Sequence, residues 1–187
     1  MQKNGATLSI LIPTYSPNEE LLSMAKNLFD ILLPKCDELI VAEDGGMFHI
    51  EFDTHSKYVY TKQNVGSMKN INKGLRLFTG DFIAVINSDV KNIAGDIRSL
   101  CDENYVTSPK VNEYPEFHNF NSAFFVIPRT LLFSHSLFLW EYSEGSDGDY
   151  ARMLNDKKLF KSMDTVTFSH PGGLGKSYTA RKKILGR

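Results

Sequence analysis

The first ninety residues alternate between short apolar runs and segments with helical periodicity. Apolar runs of strand type occur at 7–13, 37–43, 56–62 and 81–87. Between them, segments 18–33 and 66–78 carry apolar residues at helical spacing. Apolar strands are typical of a parallel sheet covered on both faces, and parallel strands need crossover helices to connect them. The alternation therefore predicts an α/β sandwich around a mainly parallel sheet.

The second half of the chain has a different pattern. A helix is predicted from about Ala94 to Cys101, and strands are predicted at 104–109 and 122–128, the latter in a mixed sheet. A polar loop broken by Pro115 separates these two strands. Ser146 is the expected cap of a further helix, and the last predicted strand leads into a Gly-rich loop after His170. We predict one domain over 1–187, because neither a linker nor a repeat interrupts the pattern.

Composition excludes several functional classes. The chain has 187 residues, 42% of them hydrophobic, and a formal net charge of −1. This charge gives no broad basic field for nucleic-acid binding. The basic C-terminal residues predict at most a peripheral contact with membranes: Arg181, Lys182, Lys183 and Arg187.

Cysteine usage and the N-terminal residues bear on the compartment. Cys36 and Cys101 lie far apart and outside any CxxC pattern, which argues against a disulfide framework or a structural zinc site. The apolar stretch before Pro13 is too short for a signal peptide or a membrane span. These features predict a cytoplasmic protein.

Polar residues follow three of the predicted strands directly. The segments are "PTYS" after the first strand, "EDGG" after the second and "NSD" after the strand at 81–87. Ligands of open parallel sheets bind outside the carboxyl ends of the strands, so these segments are the candidate site. Each segment also fits an ordinary turn, because Asn, Asp and Ser side chains hydrogen-bond to nearby backbone.

Taken in order, four motifs resemble glycosyltransferase family 2, the nucleotide-sugar transferases with the GT-A fold. They are "LIPTYS", "VAEDGG", "QNVGSMKNINKG" and "GDFIAVINSDV". The resemblance implies a Rossmann-like three-layer GT-A sandwich, with about 1–90 as the nucleotide-sugar-binding half and about 91–187 as the acceptor-binding half. It also implies an inverting hexosyltransferase-like enzyme of polysaccharide biosynthesis. Such an enzyme moves a sugar from a UDP- or dTDP-sugar to a glycan or another hydroxyl acceptor.

The same resemblance implies roles for individual residues. Donor-binding positions would be Pro13, Thr14, Tyr15, Glu43, Asp44, Asn72, Asn87 and Ser88. Asp89, at the end of the family's DxD motif, would bind Mn²⁺ or Mg²⁺, and His170 occupies the position of a C-terminal His that some relatives use on the metal or the diphosphate. Asn87 replaces the first Asp of that motif. Asn87 is therefore expected near the ribose rather than on the metal.

A carboxylate near the acceptor would act as the general base of an inverting transfer. Aligning "SDGDY" with the family's motif places Asp147 at the base position, with Asp149 and Glu144 as competitors. The structural alternative for Asp147 and Asp149 is stabilisation of a helix N-terminus.

Two other functions compete with glycosyl transfer. A sugar nucleotidyltransferase would need a Gly-rich, basic loop after the first strand, and "PTYSPNEE" contains neither glycine nor a basic residue. A catalytically degenerate nucleotide- or glycan-binding module of a larger assembly is the second. It is motivated by Asn87 and Ser146, which stand where the family has acidic residues.

Overall fold

The computed structural model describes residues 5–16, 18–45, 56–109, 120–137 and 147–170, with the backbone alone at 147 and 148. The strands are β1 (Leu8–Thr14), β2 (Glu38–Asp44), β3 (Ser56–Thr61), β4 (Phe82–Ile86), β5 (Lys91–Ala94), β6 (Val106–Pro109), β7 (Phe124–Pro128), β8 (Phe160–Met163) and β9 (Thr167–Ser169). The α-helices are α1 (Glu19–Leu32), α2 (Ser67–Gly74), α3 (Arg129–Ser134) and α4 (Asp147–Asp156). Single 3₁₀ turns occupy Leu33–Lys35 and Ile97–Leu100.

Seven of the strands form one mixed sheet in the order β3-β2-β1-β4-β7-β6-β8. Strands β3, β2, β1 and β4 are parallel to one another, β7 is antiparallel to both β4 and β6, and β8 is parallel to β6. The mainly parallel α/β sandwich predicted from the alternation is therefore confirmed. The name carboxyl edge is used below for the side of the sheet at which β1, β2 and β4 end. The opposite side, at which these strands begin, is the amino edge.

Apolar side chains cover both faces of the sheet and make a three-layer structure. On one face, Ile71 of α2 and Leu154 of α4 pack against strand residues such as Val85 and Phe125. On the other face, the packing residues are Leu28 and Leu32 of α1 and Ile97 and Leu100 of the second 3₁₀ turn. Each fully buried side chain of this size stabilises the fold by about 1.5–3 kcal/mol. The core thus holds the strand ends at fixed positions.

Two predicted helices differ from the observed elements. The segment 66–78 is helical only over Ser67–Gly74, since Arg76 and Leu77 donate to carbonyls three residues back and close a tighter turn. The helix predicted from Ala94 to Cys101 is wrong. Ala94 ends a strand, and Gly95 (φ +97°) turns the chain there. Only one 3₁₀ turn follows.

Strands β5 and β9 form a separate two-stranded antiparallel sheet, which we call the ribbon. Lys91 pairs with Ser169, and Ala94 pairs with Thr167. Strand β9 was expected, whereas β5, β8 and α3 were not. The predicted cap Ser146 lies outside the described residues. Over the described part of the chain, none of the helices combines the length and apolar character that a membrane span requires.

Candidate active site

The carboxyl ends of β1, β2 and β4 bring the three polar segments to one edge of the sheet. Thr14 and Glu43 are register partners at the ends of β1 and β2, and both are buried. Tyr15, the next residue along the chain, is 44% exposed. The order of the strands places the turn after β4 on the other side of β1. The three polar segments therefore lie side by side at this edge.

The carboxylate of Asp44 connects β2 to the loop that precedes α2 through hydrogen bonds. Its Oδ1 accepts a hydrogen bond from the Val65 backbone N–H at 2.7 Å, and its Oδ2 accepts one from Gly66 at 2.9 Å. Gly45 (φ +68°) permits this approach, because a Cβ there would lie 2.4 Å from the backbone nitrogen of Asn64. Each carboxylate oxygen can accept a further bond. A role of Asp44 in binding the donor stays a prediction.

Glu43 is fully buried and is held by a tyrosine that the sequence did not single out. The Tyr58 hydroxyl donates to Glu43 Oε2 at 2.5 Å. Burial and then this hydrogen bond raise the pKa of Tyr58 above its ordinary value, so the hydroxyl remains a donor at neutral pH. Tyr58 thereby orients the Glu43 carboxylate at the end of β2.

Asn70 is a second residue that the sequence analysis missed. Its Nδ2 donates to the carbonyl oxygen of Ala42 at 2.5 Å and lies 3.5 Å from that of Thr14. It therefore joins the ends of β1 and β2, where Pro13, the register partner of Ala42, has no backbone N–H to donate. The sequence feature that could have identified Asn70 is its position on the buried face of α2, beside Ile71. Asn72, the predicted donor residue, is half-buried on the same helix.

The "NSD" segment turns directly after β4. The backbone N–H of Asn87 donates to the carbonyl of Ala123 at 2.9 Å, and Val90 N–H donates back to the carbonyl of Asn87 at 3.1 Å. Val90 is buried and holds the turn on the core. Asn87, Ser88 and Asp89 are half-buried at the carboxyl edge. The turn is thus both a backbone turn and a set of polar groups at the edge.

The structure brings the two predicted metal ligands together. His170 Nε2 lies 2.9 Å from Asp89 Oδ1, although 81 residues separate them in the sequence. Their side chains are 23% and 31% exposed, so both groups can be reached from solvent. The ribbon explains the contact. Lys91 of β5 pairs with Ser169 of β9, and Asp89 and His170 lie just beyond these residues.

Asp89 and His170 fit a divalent cation that takes its other ligands from substrate. Across the described ranges, no group of three or more His, Cys, Asp or Glu residues is arranged to hold a metal ion. Mg²⁺ sites commonly use one or two carboxylates together with substrate phosphates and water. Imidazole is also an accepted ligand of many divalent metals. A carboxylate and an imidazole at this edge therefore agree with a metal that binds with a diphosphate.

The candidate bases are only partly described. Asp147 begins α4, Asp149 is exposed and lies 3.6 Å from Arg152 in an ion pair, and Glu144 lies outside the described residues. The ring of Tyr150, in the first turn of α4, packs 5.0 Å from the ring of Phe120. Phe120 leads into β7 from the carboxyl edge, so the first turn of α4 also lies toward that edge. The choice of base stays a prediction.

A comparison with models of protein families shows to which family the chain belongs. Residues 9–164 match glycosyl transferase family 2. The chain belongs to this family. The match covers β1 except for its first residue, the motifs at the carboxyl edge and all of α4 and β8, so it includes Asp44, Asp89 and the candidate base Asp147. The family resemblance drawn from the four motifs is confirmed.

Solved structures of other transferases share the fold of this family 2 member. Glucosyl-3-phosphoglycerate synthase from Mycobacterium tuberculosis, in complex with Mn²⁺, UDP and glucosyl-3-phosphoglycerate, superposes with a TM-score of 0.67 at 15% identity over 97% of this chain and 78% of that one. TarS residues 1–349 from S. aureus give a TM-score of 0.64 at 16% identity over 87% and 59%. At these identities the likeness shows the fold alone. None of the curated proteins matches the chain.

Proposed function

We propose that this family 2 member is an inverting glycosyltransferase that uses a UDP- or dTDP-sugar and Mn²⁺ or Mg²⁺. The acceptor is a hydroxyl group of a glycan or glycoconjugate. The setting we propose is polysaccharide biosynthesis in the cytoplasm, and the low cysteine usage, with Cys36 and Cys101 far apart in the sequence, supports a reducing compartment.

The contact between Asp89 and His170 carries this proposal. It joins a carboxylate and an imidazole at the edge where Thr14, Glu43 and Asp44 also end their strands. Solved structures of glucosyl-3-phosphoglycerate synthase contain UDP together with Mn²⁺ or with Mg²⁺. These complexes support a nucleotide diphosphate and a divalent cation as the ligands of this edge.

In the proposed reaction the acceptor oxygen attacks the anomeric carbon from the face opposite the diphosphate. The new carbon–oxygen bond forms while the bond to the diphosphate breaks, and the acceptor proton passes to the carboxylate of Asp147. Asp89 and His170 would hold the cation, which offsets the charge of the leaving diphosphate when bound. Asp44 orients the nucleoside, and the fully buried Glu43 fixes the adjoining end of β2 through Tyr58. Inversion follows because the displacement occurs once.

Ligand-dependent thermal unfolding tests the donor site. UDP, dTDP and GDP are each added with and without Mn²⁺. A ligand at 100 times its Kd stabilises a protein by about 2.7 kcal/mol, which for this size raises Tm by roughly 5–11 °C. A Mn²⁺-dependent rise for UDP or dTDP supports the proposal. The absence of any rise would favour the degenerate binding module or a different ligand class.

A matched pair of substitutions tests the base. Asp147→Asn should abolish transfer and preserve the UDP-dependent rise in Tm, because it removes only the proton acceptor. Asp149→Asn, two residues along the same helix, is the control and should retain transfer. Full turnover in Asp147→Asn would remove Asp147 as the base, and loss of turnover in Asp149→Asn alone would assign the role to Asp149.

A further inference from the structure

The ribbon contains one residue more on β5 than on β9. Between its two paired positions, β5 advances from Lys91 to Ala94 while β9 goes back from Ser169 to Thr167. Three residue steps on one strand thus face two on the other, which is the count of a β-bulge. A bulge bends its strand and increases the local twist, and bulges often lie beside active sites, where they redirect a side chain.

Asn92 occupies this bulge in a left-handed backbone conformation. Its φ is +53°, a region that Asn enters far more readily than a β-branched residue does. The side chain also crosses the ribbon. Asn92 Nδ2 donates to Ser169 Oγ at 3.0 Å, and Ser169 Oγ donates to the carbonyl of Lys91 at 3.2 Å. Asn92 is thus bonded to the residue that directly precedes His170.

Contacts across the ribbon and with the main body hold β9 and the end of the ribbon remote from Asp89. Gly95 (φ +97°) packs so closely that an added Cβ would lie 2.4 Å from the carbonyl oxygen of Thr165. The Ser99 hydroxyl donates to Thr165 Oγ1 at 2.7 Å. On β9, the ring of Phe168 packs edge-on against Phe124 of β7, with centroids 5.4 Å apart. The turn that carries Asp89 is held on the core separately by Val90, so the bulge between these anchored parts sets how closely the His170 end of β9 approaches Asp89.

We propose that Asn92 is a positioning residue for metal binding. The bulge that it forms, and its hydrogen bond to Ser169, set the distance and angle of the His170 imidazole relative to the Asp89 carboxylate. Asn92 itself touches neither substrate nor metal in this proposal. The inference rests on the proposed function, because it assigns Asp89 and His170 to the cation.

Two substitutions distinguish the contribution of the left-handed backbone conformation of Asn92 from that of its side-chain hydrogen bond. Asn92→Gly keeps access to the left-handed conformation and removes the amide, whereas Asn92→Val also disfavours the conformation. Mn²⁺ affinity is measured from the electron paramagnetic resonance signal of free Mn²⁺, with and without UDP. Residues that orient metal ligands typically contribute about 10- to 100-fold to affinity, so we expect Asn92→Val to weaken Mn²⁺ binding by about tenfold. Asn92→Gly should have a smaller effect.

Two controls distinguish positioning from a general loss of structure. Lys158 is also exposed and left-handed (φ +56°) but lies after α4, so Lys158→Val imposes similar strain away from the ribbon and should leave Mn²⁺ affinity unchanged. In a His170→Ala background, Asn92→Val should weaken Mn²⁺ binding no further. An equal weakening with and without His170 would overturn the proposal.

A measurement without metal completes the test. The ¹⁵N chemical shifts of the His170 ring in metal-free protein should move in Asn92→Val, because the ring changes its contact with Asp89, and should not move in Lys158→Val. Unchanged ring shifts and unchanged Mn²⁺ affinity in Asn92→Val would overturn this inference and leave the proposed function intact. Failure of the unaltered protein to bind Mn²⁺ with or without UDP would overturn both.

Discussion

Acidic residues at the two edges of the sheet have different partners. At the amino edge, Asp37 Oδ2 accepts from the Leu8 backbone N–H at 2.7 Å and from Arg98 at 2.9 Å. Glu38 accepts from Ser9 Oγ and the Thr79 backbone N–H, and it also pairs with Lys57. These bonds connect the starts of neighbouring strands to one another.

At the carboxyl edge, the contact that the described residues offer to the Asp89 side chain is the single one with His170. Asp89 therefore keeps acceptor capacity that Glu38, which accepts bonds on both carboxylate oxygens, has already used. Glu43 and Asp44 at the carboxyl edge are also hydrogen-bonded to other elements. The contrast therefore lies between the amino-edge acids, which tie strands together, and Asp89, which offers oxygen atoms to a ligand at the edge where crossover connections leave a crevice in a parallel sheet.

Among the substitutions that test the difference between the two edges, we expect Asp89→Asn to have the largest effect, and that effect is on the rate of sugar transfer. Metal ions contribute several kcal/mol of charge stabilisation, so sugar transfer should fall by at least about a hundredfold. Tm in the absence of ligand should stay within about 2 °C of the unaltered protein, because a partly exposed residue is replaced by one of equal size. Initial rates with UDP-sugars and Mn²⁺, together with a thermal scan, provide the test. A large fall in Tm with an unchanged rate of transfer would contradict the proposal that Asp89 serves ligand binding rather than the stability of the fold.

The reverse outcome is expected for Glu38→Ala at the amino edge. It removes the acceptor of the buried Ser9 hydroxyl and of the Thr79 amide, and it leaves the Lys57 ammonium with only the Leu77 carbonyl. We expect a loss of about 2 kcal/mol in the free energy of unfolding, since a buried donor without a partner costs about 1–3 kcal/mol. The kcat/KM for transfer should be unchanged below the unfolding transition. Glu38→Gln, which retains one acceptor oxygen, should lose less, and equal losses in both variants would contradict this account.

The amino edge should also account for part of the acid sensitivity of the fold. Hydrogen bonds from Leu8 and then Arg98 lower the pKa of Asp37. Burial opposes ionisation of Glu38, but hydrogen bonds from Lys57, Ser9 and Thr79 outweigh it and lower its pKa below 4.5. Because both values are depressed on folding, their contribution is complete above the ordinary values and disappears as pH falls through the folded ones. Urea unfolding between about pH 6 and pH 3 should therefore show a shallower loss below about pH 4, the ordinary range of an Asp, in Asp37→Asn than in the unaltered protein. Identical slopes would exclude this role.

The sequence predicted the fold well where its elements are long and their apolar spacing is regular. Strands β1, β2 and β4 and helix α1 are recognisable from residues a few positions apart. The prediction failed at 94–101, where apolar residues at helical spacing are overruled by a glycine turn and by pairing with β9, about 75 residues away in the chain. Such pairing depends on tertiary contacts, which the spacing of neighbouring residues in the sequence does not predict.

The same limit applies to the candidate site. The residue types at strand ends were sufficient to select Asp44 and Asp89. The family resemblance added His170, but only the ribbon shows why it meets Asp89. Asn70 and Tyr58 were missed because each acts through a partner on another element, Ala42 for the first and Glu43 for the second. Residues that position a site are harder to predict than residues that form it.

The smallest effect should come from the ion pair between Arg152 and Asp149. Its side chains are 74% and 56% exposed, and the charged atoms are 3.6 Å apart. Exposed pairs of this spacing on a helix contribute about 0.3–0.5 kcal/mol, so Arg152→Ala should shift the free energy of unfolding by no more than about that amount. Urea unfolding in low and in high salt measures it, and the small difference should vanish in high salt because exposed charges are screened. This pair lies toward the carboxyl edge, so a loss of 2 kcal/mol or more would mean that charges there also hold the fold together. The contrast between the edges would then rest on the turn after β4 alone.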